Sequence, residues 1–235
     1  MRVITLFVAF AALLAVIAAG PGSRLEWWPW QTGIWMMRIG AYAGIAAAVV
    51  ATLLVLMLLV PRWRVRPWVP IVALCVALAA VAPPMILLSK GKQVPPIHDI
   101  TTDVADPPAF EALREARSKA PNGIAYAGGE VTRQQQQAYA DIKPLVLPQP
   151  PREAMQRALD AARSMGWEVV ASDAASGRLE ATATTRWFGF KDDVVVRIRP
   201  EGAGSRVDVR SMSRVGRSDL GANAARVREF LAKLA

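Results

Sequence analysis

The stretch RLEATATTRWFGFKDDVVVRIRPEGAGSRVDVR, residues 178–210, changes character at every second residue. Leu179, Ala181, Ala183 and Thr185 alternate with Arg178, Glu180, Thr182, Thr184 and Arg186. Val194, Val196 and Ile198 alternate with Val195, Arg197 and Arg199, and Val207 and Val209 with Arg206, Asp208 and Arg210. A period of two marks β-strands with one face on a core and the other in water. Gly189–Asp193 and Gly202–Ser205 read as turns, so the strands follow one another as antiparallel hairpins. The arginines of the wet face are expected to be solvated and cross-paired, or else to form a docking surface for head groups, a cell-wall polymer or a partner protein. Trp187, Phe188 and Phe190 read as core and turn anchors in preference to a ligand platform.

Working upstream, Trp167–Ser172 reads as one more strand. Before it Met155, Leu159, Ala162 and Met165 share one face of a helix that begins at Pro151 and stops at Gly166. Downstream, a helix starting near Ser218 or Asp219 is expected to bury Leu220, Ala224, Val227, Leu231 and Leu234. Helix, four strands, helix is an α+β domain, an antiparallel four-stranded meander flanked by helices. Further upstream, Asp106 before Pro107 and Pro108 predicts a cap and first turn of a helix carrying Phe110 and Leu113 and ending near Pro121–Gly123. Val131–Tyr139 is a further helical candidate, and the Gln134–Gln137 run reads as an exposed helix face or loop. Pro144, Pro148, Pro150 and Pro151 make an extended connector.

The first 88 residues are of another kind. Three apolar runs, 3–19, 34–60 and 68–88, approach or exceed the roughly 20 residues that a helix needs to cross a bilayer. Arg62, Arg64 and Arg66 crowd the short hinge between the second and third, whereas the first loop carries only Arg24 and Glu26. Positive charge stays in the cytoplasm, so the hinge is expected inside and the soluble domain outside the plasma (inner) membrane, in the periplasm; Lys90 and Lys92 argue weakly the other way. The first run could instead be a cleaved signal peptide, which leaves the domain on the same side. Trp27, Trp28, Trp30 and Trp35, with Trp63 and Trp68 at the hinge, read as interfacial belts. The predicted organisation is an anchor over 1–88, a stiff polar spacer over 89–97 and a soluble domain over 98–235.

Composition narrows the function classes. The net charge of +9 divides into +5 before residue 89 (six arginines against Glu26) and +4 beyond it (22 basic against 18 acidic residues). An outward-facing, mildly basic domain is no nucleic-acid binder; its partners are expected to be the lipid bilayer and an envelope protein, anionic lipid or cell-wall polymer. The single cysteine, Cys75, lies inside the third apolar run, which excludes an internal disulfide, a thiolate metal site and a lipidated amino-terminal cysteine.

Three sets of residues could carry chemistry. Asp192 and Asp193 are adjacent, so a regular strand sends them to opposite faces and only a turn lets both carboxylates converge. The chain's one histidine, His98, stands beside Asp99, and Ser211, Ser213 or Ser218 could supply a hydroxyl. No nucleophile elbow or phosphate loop accompanies them. Arg210, Ser213, Arg214, Ser218, Asp219 and Asn223 surround the start of the last helix, whose amides suit a phosphate or carboxylate. Asp219 is itself a candidate occupant of that field.

Three segments resemble one family: Trp187–Ile198, Arg210–Asn223 and, upstream, Ile97–Asp103. They are similar to the signatures of the bacterial and plastid family catalogued as domain of unknown function 1499, over about residues 95–235. The resemblance implies a shared domain and supplies no reaction, ligand or partner. The expectation is therefore a membrane-anchored, noncatalytic binding or docking domain with no cofactor and no metal. Two alternatives stand beside it: a hydrolase or metal-dependent enzyme using His98, Asp99, Asp192 and Asp193, and a binder of lipid or another apolar ligand between meander and last helix.

Overall fold

The computed structural model describes residues 1–59 and 67–235. By its internal contacts the chain divides into two units, Met1–Lys90 with Arg186–Gly189, and Gly91–Thr185 with Phe190–Ala235.

In the first unit the apolar runs are helices α1 (Arg2–Arg24), α2 (Trp30–Leu56) and α3 (Trp68–Gln93). All three are long and apolar enough to cross a membrane, with mean hydropathies of 2.5 to 2.7. Small residues bring α1 and α2 together: a Cβ on Gly40 would stand 2.9 Å from the Ala12 carbonyl, and Ala9, Ala12, Val16 and Ala19 are buried. Phe7, Leu14, Leu53 and Leu78 point outward, as lipid-facing residues do. Ser89–Gln93, expected to be spacer, continues α3, because no proline follows Pro84 until Pro95 to remove a backbone donor or restrict the preceding residue. The hinge residues Arg62, Trp63, Arg64 and Arg66 lie outside the described residues.

The second unit is built on one antiparallel sheet of six strands: β1 (Asp99–Thr101), β2 (Leu145–Leu147), β3 (Glu168–Asp173), β4 (Arg178–Thr184), β5 (Lys191–Glu201) and β6 (Gly204–Ser213). The last four are the hairpins expected from the alternation. The sheet is nevertheless not a four-stranded meander, because β1 and β2 both pair with the free edge of β6, opposite Arg210–Met212 and Ser205–Val207. Three residues are too few to display a period. The turn expected over Gly189–Asp193 is also shorter: Asp192 and Asp193 are in β5, opposite Ser213 and Met212.

Helices α6 (Pro151–Ser164) and α7 (Ala222–Leu234) cover one face. Their core holds Leu179, Ala181, Val194, Val196, Ile198, Val207 and Val209 against Met155, Ala158, Val227 and Leu234. Trp167 stacks on Phe230 at 5.1 Å. Each large apolar side chain so buried contributes about 1.5–3 kcal/mol. Helix α7 starts later than expected: Leu220 has φ +55° and lies outside it, and Phe230 is the buried residue where Leu231 was expected, with Leu231 at the margin.

The other face, expected to be wet, is covered. Residues 102–126 run across it, and α4 (Arg114–Ser118) is their one short helix. Asp106, Pro107 and Pro108 start no helix; the Asp106 carboxylate pairs instead with Arg197 and Arg199 at 3.0 and 3.1 Å. Phe110 and Leu113 pack on Val195 and Met212. In α5 (Gly129–Ala138) the expected exposed glutamine run contains a buried member: Gln135 Nε2 donates to the Thr101 carbonyl and its Oε1 accepts from the Thr101 amide, so one side chain pairs with the outer edge of β1.

Candidate functional site

The covered face is a network of ions. Asp193 accepts four hydrogen bonds, from Arg117 Nη1 (2.9 Å), Arg214 Nε (2.9 Å) and Nη2 (2.8 Å), and Thr182 Oγ1 (2.8 Å). Asp193 and Arg117 are both 0% exposed. One strand over, Arg210 grips Asp99 with both ends of its fork, at 2.9 and 2.8 Å. Phe110 lies beneath both guanidiniums, 4.8 Å from that of Arg117 and 5.1 Å from that of Arg210. Glu180, also fully buried, accepts the amides of Glu111, Ala112 and Leu113 at 2.8, 3.1 and 2.9 Å, and so pins the covering segment to β4.

Toward the other end of β5 and β6, Arg197, Arg199 and Arg206 share Asp103, Asp106 and Asp208. Arg178 pairs with Glu111. Among the described residues, this face and its cover thus join seven arginines to six carboxylates, and Glu180 brings the negative charges to seven. The charges cancel within the fold. Burial draws the Arg117 pKa below its usual value, while the Asp193 carboxylate pushes it back up. Such pairs hold only while every member is present, because an ion left alone in the interior keeps its desolvation cost.

The second cluster lies under the start of α7, on the opposite face. Asp192 accepts Arg226 Nη2 at 2.6 Å. Asn223, fully buried, takes a hydrogen bond from Ser211 Oγ at 2.6 Å and donates to the His98 carbonyl at 2.9 Å and to Ser213 Oγ at 3.0 Å. Arg226 also donates to Asn223 Oδ1 and to Ser211 Oγ. Asp219 accepts the amides of Gly221 and Asn223 at 2.8 and 2.7 Å, and Ser218 Oγ accepts that of Leu220 at 3.3 Å. The amides that could have held an outside anion are therefore held by the chain's own carboxylate. Burial pushes the Asp219 carboxyl up, against the pull of those two amides. His98 Nδ1 stands 3.3 Å from the Arg217 carbonyl.

The ten residues singled out by sequence thus fall into two groups divided by the sheet. Asp99, Asp193, Arg210 and Arg214 meet on the covered face; His98, Asp192, Ser213, Ser218, Asp219 and Asn223 gather around α7. The quartet His98, Asp99, Asp192 and Asp193 is split between them. Among the described residues, no three or more His, Cys, Asp and Glu side chains stand close enough to share a metal ion. A groove of about 390 Å³ runs between α4 and the strands, lined by Ala116, Lys119, Glu168, Thr182, Lys191 and Arg214. Sequence reasoning missed Arg117, Glu180, Thr182 and Arg226. Arg226 lies one helical turn after Asn223, and Arg117 falls at helical spacing from Phe110 and Leu113; Glu180 and Thr182 sat on the strand face that reads as wet.

The family model described as "Protein of unknown function (DUF1499)" matches residues 99–234. That is more than half of the chain, and the chain belongs to this family. No curated protein matches it.

Proposed function

We propose that this member of the DUF1499 family is an integral membrane protein of the bacterial cell envelope that presents a noncatalytic binding domain on the periplasmic side, where it docks an envelope component or a partner protein. One observation carries the noncatalytic reading: the polar residues with chemical potential are spent on one another. Asp193, Asp99 and Glu180 hold arginines or backbone amides, Asp219 holds the Gly221 and Asn223 amides at the start of α7, and Asn223 is saturated by Ser211, Ser213 and His98. A hydrolase needs its acid, base and nucleophile around one point, and here the quartet stands on two faces of a sheet. For an apolar ligand the space between meander and α7 would have to be open, and Trp167 and Phe230 fill it. Sidedness rests on Arg62, Arg64 and Arg66 against the nearly neutral first loop.

Three measurements test this. A reporter fused after Ala235 should be active only outside the cytoplasm; activity confined to the cytosol would reverse the topology. Native purification of the full chain from membranes, with mass spectrometry of co-purifying protein and lipid, should recover a stoichiometric envelope partner. Turnover of a small substrate that Asp192→Asn abolishes with unchanged melting temperature would replace docking by catalysis.

A further inference from the structure

The tip that joins β4 to β5, Arg186–Gly189, groups with the apolar helices of the first unit. Its two rings, Trp187 and Phe188, stand edge to face at 5.3 Å and 68°. Each ring meets a glycine of the α1–α2 pair. A Cβ on Gly20 would clash with the Trp187 indole at 2.4–2.6 Å, and one on Gly33 would come within 2.9 Å of the Phe188 ring. Arg24, at the end of α1, donates from its guanidinium to the Arg186 carbonyl. Its stem lies against Gly189, where an added Cβ would stand 3.0–3.2 Å from Arg24 carbons and where φ is +71°. Two glycine sockets, one cation and one left-handed glycine therefore hold a four-residue turn in place.

The position of the sockets says what surrounds the tip. Gly20 and Gly33 lie at the end of the α1–α2 pair that carries Trp27, Trp28 and Trp35, of which Trp27 and Trp35 are exposed. Tryptophans gather where acyl chains give way to head groups, and arginine at that level faces lipid phosphates. The tip presents the same composition, with Trp187 half-buried beside an exposed Arg186.

We propose that the Arg186–Gly189 tip is a fourth membrane anchor, with Trp187 seated at the head-group level of the bilayer and the lipid interface as its partner. This goes beyond the docking function and is independent of which face of the membrane is involved. The test uses the full chain in phosphatidylcholine nanodiscs, with Cys75→Ala as background and an environment-sensitive dye on Arg186→Cys, a substitution that keeps the carbonyl bonded by Arg24. Lipids spin-labelled near the head group should quench the dye about twofold more than lipids labelled deep in the acyl chain, as interfacial placement requires. Trp187→Ser, which empties the socket, and Gly20→Val, which fills it, should each remove that difference. Quenching by aqueous iodide alone, or shallow-lipid quenching that both variants leave unchanged, would overturn the proposal. Neither result bears on whether a partner co-purifies, so the two readings fail separately.

Discussion

The two faces of the sheet are both buried, and they are buried by opposite means. Under α6 and α7 the strands present Leu179, Val194, Val196, Ile198, Val207 and Val209, and the covering helices supply matching apolar faces. Under residues 102–126 the same strands present Glu180, Asp193, Arg197, Asp208 and Arg210, with Arg214 just past the end of β6, and the cover supplies Arg117, Asp103 and Asp106 as counter-ions with Phe110 between guanidiniums. An apolar face accepts any apolar cover of suitable shape. A charged face accepts only a cover whose charges answer its own, so it specifies one partner segment and one register. Alternation along a strand identifies two faces; it does not identify which of them meets water.

The largest expected effect breaks the comparison at its centre. Asp193→Ala leaves Arg117 buried without its counter-ion and should cost about 3–5 kcal/mol, as much as the about 3–5 kcal/mol expected for Phe230→Ala on the apolar face. Chemical denaturation of the full chain in detergent measures both. A loss under about 1 kcal/mol for Asp193→Ala is the size for a solvated pair and would mean that the face is wet. Arg199→Ala probes the open end of the network, where the side chain is 41% exposed; it should cost no more than about 1 kcal/mol, and less in added salt.

Asp219→Asn should have the smallest effect, read as a pH profile. Burial raises the Asp219 carboxyl, so the folded chain holds that proton more tightly than the unfolded one. The stability this group contributes is present below the ordinary aspartate range and is lost as pH rises through its raised folded value. Asparagine keeps an acceptor for the Gly221 or Asn223 amide and does not titrate. Melting temperature against pH should therefore fall for the natural chain relative to Asp219→Asn across the weakly acidic window just above the ordinary aspartate pKa. Parallel profiles for the two proteins would remove Asp219 from the pH response.

Long periodic elements were legible. The meander, α6 and most of α7 follow from periods of two or 3.6, and the three apolar helices from length and hydropathy. Strands β1 and β2 left no signal because three residues carry no period, and the 102–126 cover was read as one helix where only Arg114–Ser118 is helical, because its contacts are to distant strands and not to itself. The grouping of the candidate residues was not legible. Asp99 and Arg210 are 111 residues apart and become partners only because β1 lies against β6. Asp192 and Asp193 parted as adjacent strand residues must, and the same step sent each to a different arginine.

From its order of residues alone, this protein had three membrane-length helices, a sheet of alternating strands and membership of its family, because hydropathy and side-chain period act over neighbours a few residues apart. Which face was covered, by what, and which charges were thereby neutralised depended on segments brought together from far along the chain. Desolvation and pairing are properties of a place in space, and only the tertiary structure creates that place.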